Sequence, residues 1–373
     1  MNRPRVHILY EHGADQQPFG SAHVRLLRPW THPALAEKFT VTFGLEYDGQ
    51  PVEAVVVDRL WRPDISVALA EELLARVRRA GGRLIYALDD NFFTLAEESK
   101  DWTPSTDQLG ALEYFLRNAD GVVVTTPGLA EYLAGYNSKI YHVPNAIDER
   151  LVPAPVDAAK KRQGRFAGWF GKFLHPRSHA PGRKTVIGYM GTYTHDDDLL
   201  MVLPALQAVC RQHSGEVELQ LIGVAFRQDT VDAMAGMPVK RIAPPDGSAD
   251  YPDFISWFTR NVAWDMAIAP LCDNRFNRCK SDIKFLDYCA VGLAGIYSRV
   301  PAYQASVAHG VTGLLVDNEP EAWRDALDSL VNSPDLRSRL AGQAARYLHS
   351  ERTVGCTANV WIEAMNHIIS SGT

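Results

Sequence analysis

The sequence predicts an α/β protein with two lobes, each built on a parallel β-sheet, and a cleft between the lobes. Two observations lead to this prediction. The chain has 373 residues, 46% of them hydrophobic, which exceeds one ordinary domain and is enough to bury two cores. Short β-rich runs also alternate with helical patterns in two separate stretches, and such alternation is typical of βαβ units.

The first stretch occupies residues 1–150, where we expect the N-terminal lobe. Its β-rich runs lie at residues 6–10, 53–58, 83–90, 121–126 and 139–145. Helical patterns separate them at residues 66–79, around residues 105–118 and from Pro127 onward. The order predicts a parallel sheet covered by helices.

Residues 151–184 interrupt this alternation. The segment is rich in proline, glycine and basic residues and shows no sustained period. We interpret it as a linker, with a domain boundary near Lys184. The alternative is a basic, Trp- and Phe-bearing patch that contacts a membrane surface or an anionic acceptor.

The second stretch, residues 185–350, restarts the alternation and predicts another lobe. Its β-rich runs lie at residues 185–191, 217–223, 264–271 and 293–297. Helical patterns lie near residues 198–212, 251–261, 319–331 and 334–348. One more helix, near residues 355–369, occupies the C-terminal segment 351–373.

Composition excludes several classes of function. A net charge of -6 gives no overall attraction for nucleic acid, so we expect no nucleic-acid partner. The five cysteines are odd in number and form no CxxC pair, which fits reduced thiols in the cytosol better than disulfides or a zinc site. No apolar run is long enough for a signal peptide or a membrane span, so we expect a cytoplasmic protein, or one at the inner face of the membrane.

The most informative run is CKSDIKFLDYCAVG at residues 279–292. Ser281 is a plausible N-cap of the helix that follows, and Lys280 and Lys284 add positive charge beside its free N–H groups. The run follows a β-rich segment and the polar loop NRFNR, which contains Asn277, so it lies where open α/β sheets bind ligands. The pattern favours binding of a diphosphate without a metal. A capped helix with solvated lysines is the simpler alternative.

Two further groups of residues are candidates for substrate contacts. Asp89 and Asp90 end a predicted strand, where carboxylates can accept hydrogen bonds from sugar hydroxyls or take a proton, although a structural capping role is an alternative. The loop at residues 19–30 follows the first strand and is the second group; its candidates are Gly20, Ser21, His23 and Arg25.

His195 precedes three aspartates, Asp196, Asp197 and Asp198, and this composition suggests a metal site. Consecutive aspartates point in different directions, however, and the simpler interpretation is that they cap a helix beginning near Leu199. We therefore predict no metal and keep His195 as a candidate contact for the bound substrate. Asp287 lies three residues after Lys284, which allows either a salt bridge or a contact with ribose hydroxyls.

Several motifs, taken in order, resemble GT-B fold glycosyltransferases of the family 4, or group 1, type. Residues 119–148 are similar to the end of the acceptor-side lobe, and IGYMGTYTHDDDL at residues 187–199 resembles the glycine loop that opens the donor lobe. Residues 280–292 and 309–316 resemble the donor helix and the terminal HGxTGxLV element. ALDDNFF at residues 87–93 looks like the loop of a subgroup that acts on bacterial surface glycans.

The resemblance implies two Rossmann-like lobes and a C-terminal helix that returns to the first lobe. It also implies a nucleotide-sugar donor bound near Gly191 and Thr192, no cofactor, and retention of anomeric configuration. The chain departs from the family pattern in two places. The first of two family glutamates falls on Cys279 and the second on Asp287, and the basic residues expected after the first donor strand are absent. We therefore expect Lys280 and Lys284 to carry the diphosphate charge, alone or with Arg275.

The function predicted from the sequence is transfer of a sugar from a nucleotide-diphosphate sugar to a hydroxyl of a glycan, lipid-linked or other acceptor. Two alternatives remain open, a nucleotide-sugar 2-epimerase and a catalytically silent nucleotide-sugar-binding subunit. For the transfer we assign Asp90, Lys284 and Lys280 to catalysis. The expected substrate contacts are Gly20, Ser21, His23, Arg25, Asp89, Gly191, Thr192, His195, Asn277, Ser281 and Asp287.

Overall fold

The computed structural model of the protein describes residues 3–99, 102–152, 183–245 and 250–370. Most of the segment predicted to be a linker, residues 153–182, lies outside the described residues. Within the described residues, two six-stranded sheets form, and every strand pair in both sheets is parallel. The predicted α/β fold class is confirmed.

The first sheet has the strand order β2-β1-β3-β4-β5-β6. Its strands are β1 Arg5–Leu9, β2 Thr40–Gly44, β3 Ala54–Asp58, β4 Arg83–Leu88, β5 Gly121–Val124 and β6 Ile140–His142. The central strands β3 and β5 are buried along their whole length, as continuous valine-rich runs in a parallel sheet covered on both faces should be.

The second sheet has the strand order β12-β11-β10-β7-β8-β9. Its strands are β7 Thr185–Met190, β8 Val217–Ile222, β9 Val239–Arg241, β10 Met266–Ala269, β11 Ala294–Ser298 and β12 Leu314–Val316. Gly188 lies in β7 beneath the ring of Trp264, and a Cβ built there would lie only 1.8 Å from that ring. Close packing of the indole on the sheet therefore requires glycine at this position.

Helices cover both sheets. Those of the first lobe are α1 Gly20–Ala22, α2 Arg28–Trp30, α3 Pro33–Ala36, α4 Val67–Arg79, α5 Phe92–Glu98, α6 Thr106–Asn118 and α7 Pro127–Leu133, with a π-helical turn at His23–Leu27. Those of the second lobe are α8 Asp196–Gln212, α9 Gln228–Ala233, α10 Tyr251–Asn261, α11 Ile283–Ala290, α12 Pro301–Gln304, α13 Pro320–Asn332 and α14 Pro334–Glu351. The last helix is α15 Val354–Ser370. In the ranges that the structure describes, no helix combines the length and apolar character needed to cross a bilayer.

The last helix, α15, returns to the first lobe although α14 packs on the second. Trp361, Met365 and Ile368 are buried in one cluster with Val6 and Ile8 of β1. The ring of Trp361 also lies 5.4 Å from that of Trp30, in an edge-to-face arrangement. The chain therefore passes between the lobes twice, once between β6 and β7 and once between α14 and α15.

We expect the Trp361→Ala variant to lose about 3–5 kcal/mol of stability, because it leaves a large cavity between α15 and the first sheet. Deleting residues 355–373 should destabilise the first lobe further. Chemical denaturation measures both effects. Val360→Ala is the matched control, since Val360 lies on the exposed side of the same helix. Unfolding midpoints equal to the parent's would show that α15 contributes little to the first lobe.

Candidate functional site

A cavity of about 480 Å³ lies between the lobes. It opens where strands of both sheets end, since Asp89 follows β4 and Gly191 follows β7. The sequence-predicted residues that line it are Gly20, Ser21, Asp89, Asp90, Gly191, Thr192, His195, Lys280, Ser281, Lys284 and Asp287. A smaller adjoining cavity of about 140 Å³ is lined by Asn277, His195 and Lys280.

The start of helix α11 differs from the sequence prediction. The N-cap residue is Asp282, without a side-chain cap, so the prediction that Ser281 caps this helix is wrong. The Ser281 hydroxyl instead accepts a hydrogen bond from Asn145 Nδ2 at 2.8 Å. Arg352 holds the carboxylate of Asp282 through both terminal nitrogens, at 2.8 and 3.0 Å. The side chains of Ser281 and Asp282 therefore make tertiary hydrogen bonds and do not cap the helix.

Lys280 lies at the boundary between the lobes. Its ammonium is 3.8 Å from Asp90 Oδ1 of the first lobe and 4.5 Å from the ring centre of Phe276. Both charged side chains keep about a quarter of their surface exposed, which makes the ion pair weak and open to exchange. A cation of the second lobe therefore contacts a carboxylate of the first, and both side chains line the cavity.

Lys284 belongs to a chain of short hydrogen bonds. Its Nζ is 2.9 Å from His195 Nε2, and His195 Nδ1 is 2.7 Å from Asp198 Oδ2. Burial and, next, the charge of Lys280 lower the pKa of Lys284 to about 8. Burial and then Lys284 lower the pKa of His195 to about 4, so this imidazole is neutral near pH 7. Both ring nitrogens of His195 are occupied within the protein.

Asp287 does not form the short contact with Lys284 that its spacing allows. Its Oδ1 accepts a hydrogen bond from the hydroxyl of Tyr251 at 2.8 Å, whereas Lys284 hydrogen-bonds to His195. Burial raises the pKa of Asp287 to about 7. A contact between Asp287 and ribose hydroxyls stays a prediction.

The first lobe contributes a buried charge cluster that the sequence analysis did not identify. Arg59 Nε lies 2.9 Å from Glu11 Oε2 and 3.4 Å from Asp89 Oδ1. The backbone N–H of Glu11 donates to Asp58 Oδ2 at 3.1 Å. Burial raises the pKa of Glu11 to about 7 and that of Asp58 to about 8. The position of these residues in the sequence could have indicated the cluster. Glu11 follows β1 closely, Asp58 ends β3 and Arg59 follows β3, so all three lie near the carboxyl ends of strands in the same sheet.

Residues of the loop after β1 divide into two groups. Gly20 and Ser21 reach the cavity wall, whereas His23 and Arg25 lie in the π-helical turn, and neither is among the residues that line the cavity. Arg25 is buried and donates to the carbonyl of Val143 at 2.8 Å. Its guanidinium also lies 5.5 Å from the ring centre of Trp361. These contacts hold Arg25 behind the cavity wall, and its predicted substrate contact stays a prediction.

Helix α8 begins at Asp196, so the three aspartates occupy its first turn rather than preceding a helix at Leu199. Asp196 accepts hydrogen bonds from backbone N–H groups of residues 225–227. Asp197 pairs with Arg227 at 2.7 Å, and Asp198 Oδ1 accepts from the N–H of Cys272 at 2.6 Å. Among the described residues, no group of three or more His, Cys, Asp or Glu side chains could hold a metal ion.

The loop before α11 fastens the lobes together. Arg275 pairs with Glu97 at 2.6 Å and with Glu98 at 2.8 Å across the boundary between the lobes, and its predicted contact with a diphosphate stays a prediction. Cys279 is buried within the core of the first lobe, and its carbonyl accepts from Thr126 Oγ1 at 2.8 Å. The position where the family pattern expects a glutamate is therefore an interlobe packing site here.

Comparison with known proteins agrees with this architecture. Residues 184–333 match the family model described as Glycosyl transferases group 1. A 63-residue region is 40% identical to D-inositol 3-phosphate glycosyltransferase of Corynebacterium urealyticum, covering 17% of this chain and 15% of that protein.

Several solved structures share the whole fold at low sequence identity. Sucrose-phosphate synthase of Thermosynechococcus elongatus superposes with a TM-score of 0.65 and 14% identity, over 99% of this chain and 100% of the other. Anabaena HepE in complex with UDP and glucose gives a TM-score of 0.63 at 14% identity, over 98% and 100% of the two chains. TarM of S. aureus gives 0.58 at 10% identity, over 86% and 56%. The predicted GT-B fold is confirmed, and the second lobe matches the model of the group 1 glycosyl transferases that the sequence resembles.

Proposed function

We propose that this chain transfers a sugar from a nucleoside-diphosphate sugar, bound by the second lobe, to a hydroxyl of an acceptor bound by the first. One observation carries the proposal. Lys280 and Lys284 of the second lobe line the same cavity as Asp89 and Asp90 of the first lobe. The cations suit a diphosphate and the carboxylates suit sugar hydroxyls, so the reacting groups would meet in the middle.

On the donor side, the two lysines would stabilise the negative charge that develops on the departing nucleoside diphosphate. The first turn of α11 adds backbone N–H groups beside them, since neither Ser281 nor Asp282 caps the helix by its side chain. Gly191 is required by packing beside this site, because a Cβ there would lie 2.8 Å from Val224 Cγ1 and 3.0 Å from His195 Cδ2. Thr192 beside it lines the same cavity, and its hydroxyl shares a hydrogen bond of 2.9 Å with Thr194 Oγ1.

On the acceptor side, Asp90 would accept a hydrogen bond from the reacting hydroxyl and increase its nucleophilicity. Asp89 is less free, since it is buried against Arg59. The acceptor would be a glycan, a lipid-linked sugar or another hydroxyl compound. Uracil is the first base to test, because the structural neighbours include HepE with UDP-glucose and the pneumococcal O-GlcNAc transferase GtfA with UDP and GlcNAc.

Retention of anomeric configuration and a role in bacterial surface glycan synthesis rest on the family resemblance. The first is tested by following the anomeric proton of the product by NMR from the start of the reaction. A product of inverted configuration would remove this part of the proposal and leave the transfer itself intact.

A thermal-shift screen against UDP, GDP, dTDP and CMP compounds would identify the base, and incubation with the matching nucleotide sugars would test the reaction. The expected result is slow donor hydrolysis without an acceptor and, when a hydroxyl acceptor is added, faster release of the nucleoside diphosphate as the sugar passes to the acceptor. Formation of a 2-epimer would establish the epimerase alternative instead. Binding without turnover in the presence of a broad acceptor panel would indicate a silent subunit.

We expect transfer to survive EDTA, because no side-chain group suited to a metal is present in the described residues and lysines face the cavity. Initial rates measured with EDTA and after adding back Mg²⁺ or Mn²⁺ would test this. Loss of activity with EDTA that is restored by a divalent cation would show that the donor carries a metal into the site.

A further inference from the structure

We propose that His195 and Asp198 are positioning residues that hold the ammonium of Lys284 toward the diphosphate. His195 thereby acts through Lys284 and does not itself contact the donor. The inference rests on the proposed function and assigns to this cavity a side-chain relay that replaces the basic residues missing after β7. Three consecutive contacts carry it, at 2.9, 2.7 and 2.6 Å.

The direction of each hydrogen bond follows from the chemistry of the groups. The carboxylate of Asp198 can only accept, and its Oδ1 already accepts from the N–H of Cys272. His195 Nδ1 therefore donates to Asp198 Oδ2, and Nε2 of the neutral ring is left as an acceptor. Lys284 carries three N–H donors and uses one of them on that acceptor. Two N–H donors remain for the cavity.

Asp198 is needed because the other tautomer would oppose this arrangement. An imidazole protonated on Nε2 would direct its N–H against the ammonium of Lys284, and a doubly protonated ring would add a second positive charge. Asp198 fixes the tautomer, and the backbone N–H of Cys272 fixes Asp198. The three residues come from two elements, since His195 directly precedes α8 and Asp198 lies in its first turn, whereas Lys284 lies on α11. The relay ties the two elements at the donor site together.

The first test compares nucleoside-diphosphate affinity across a set of variants. We expect His195→Phe to weaken binding by roughly three- to tenfold, the value of one hydrogen bond that orients a charged donor. His195→Gln, whose amide oxygen reaches about as far as Nε2, should restore most of the affinity. His213→Phe is the matched control, since His213 forms a similar, partly buried pair with Asp328 at 2.9 Å in the same lobe, and neither residue lines the cavity.

A double-mutant cycle separates positioning from a structural role. In a Lys284→Ala background, His195→Phe should cost at most about twofold more, because the group that it orients is already gone. An equal loss with and without Lys284 would overturn the proposal. Folding of each variant is checked by its unfolding midpoint, and His195→Gln serves where the phenylalanine variant fails to fold.

The pH dependence supplies another measurement. Diphosphate affinity should be full while Lys284 is protonated and fall as the pH rises through about 8. Lys280 beside it favours the neutral amine, whereas Asp198, Asp287 and Asp90 favour the ammonium. Because an acceptor at Nε2 also stabilises the ammonium, His195→Phe should shift this fall to lower pH. An unchanged profile in that variant would count against the relay.

The tautomer can be observed without any ligand, by ¹⁵N NMR of the imidazole in the full-length protein. We expect His195 to carry its proton on Nδ1 in the parent and on Nε2 in Asp198→Asn, whose amide NH₂ turns toward the ring while its oxygen keeps the N–H of Cys272. An Nε2–H tautomer in the parent would refute the relay. If instead no nucleoside diphosphate bound while the parent tautomer was as expected, the proposed function would fail, and the role of the relay toward a diphosphate would fail with it, leaving only the hydrogen-bonded arrangement of Lys284, His195 and Asp198.

Discussion

Replacing Lys284 by alanine is expected to weaken nucleoside-diphosphate binding by roughly 10- to 150-fold, the equivalent of about 1.5–3 kcal/mol for a charge-assisted contact. Few cations share this task, because Arg275 is paired with Glu97 and Glu98. Lys280 is partly neutralised by Asp90. Turnover should fall as well, since the same charge stabilises the departing diphosphate.

Calorimetry with the diphosphate identified by the screen measures this loss, and initial rates with its sugar give the effect on turnover. The control is Lys240→Ala, which removes an exposed lysine of β9 in the same lobe and should bind like the parent. Parental affinity in Lys284→Ala would assign the phosphate contact to Lys280 and the N-terminus of α11. It would also remove the basis for a positioning role of His195.

The strands that could be predicted from the sequence are buried strands that consist of a continuous run of apolar residues. EAVVVD and GVVVTT end in polar residues and became β3 and β5 within one or two residues. The edge strands β2 and β9 were missed, because an edge strand is partly exposed and its sequence need not be apolar. The short helices between residues 20 and 36 were missed because tertiary packing, rather than a 3.6-residue period, holds them.

The candidate site was predictable in part, for a similar reason. Ligand sites at the carboxyl ends of parallel strands follow from topology, and this rule predicted that residues 279–292 and the strand-ending Asp89 and Asp90 lie at the site, whereas Gly191 was predicted from the family resemblance. Local capping logic failed at Ser281, because Asn145 engages that side chain from 136 residues away in the sequence. The partner of Lys284 could not be predicted either, since His195 lies 89 residues earlier. The spacing of residues along a helix predicts which side chains share one face of that helix. It does not predict contacts with residues of a neighbouring element.

Asp90→Asn is expected to lower sugar transfer by on the order of 100-fold or more while leaving nucleoside-diphosphate affinity close to the parent's. The amide keeps the shape of the side chain but removes the charge and basicity that would activate the acceptor hydroxyl. The structure also predicts in which direction the affinity for the diphosphate should change. Lys280 loses its carboxylate partner at 3.8 Å, so the diphosphate should bind equally well or up to about fivefold more tightly.

Affinity from calorimetry and transfer rates at saturating donor must be measured on the same preparation, because only their separation identifies an acceptor function. Asp107→Asn, at an exposed position in the first turn of α6, is the matched control and should change neither quantity. Parental transfer in Asp90→Asn would reduce Asp90 to an interlobe contact with Lys280. Equal losses of transfer and diphosphate affinity would place Asp90 on the donor side instead, since a residue that engages only the acceptor hydroxyl cannot weaken binding of the free diphosphate.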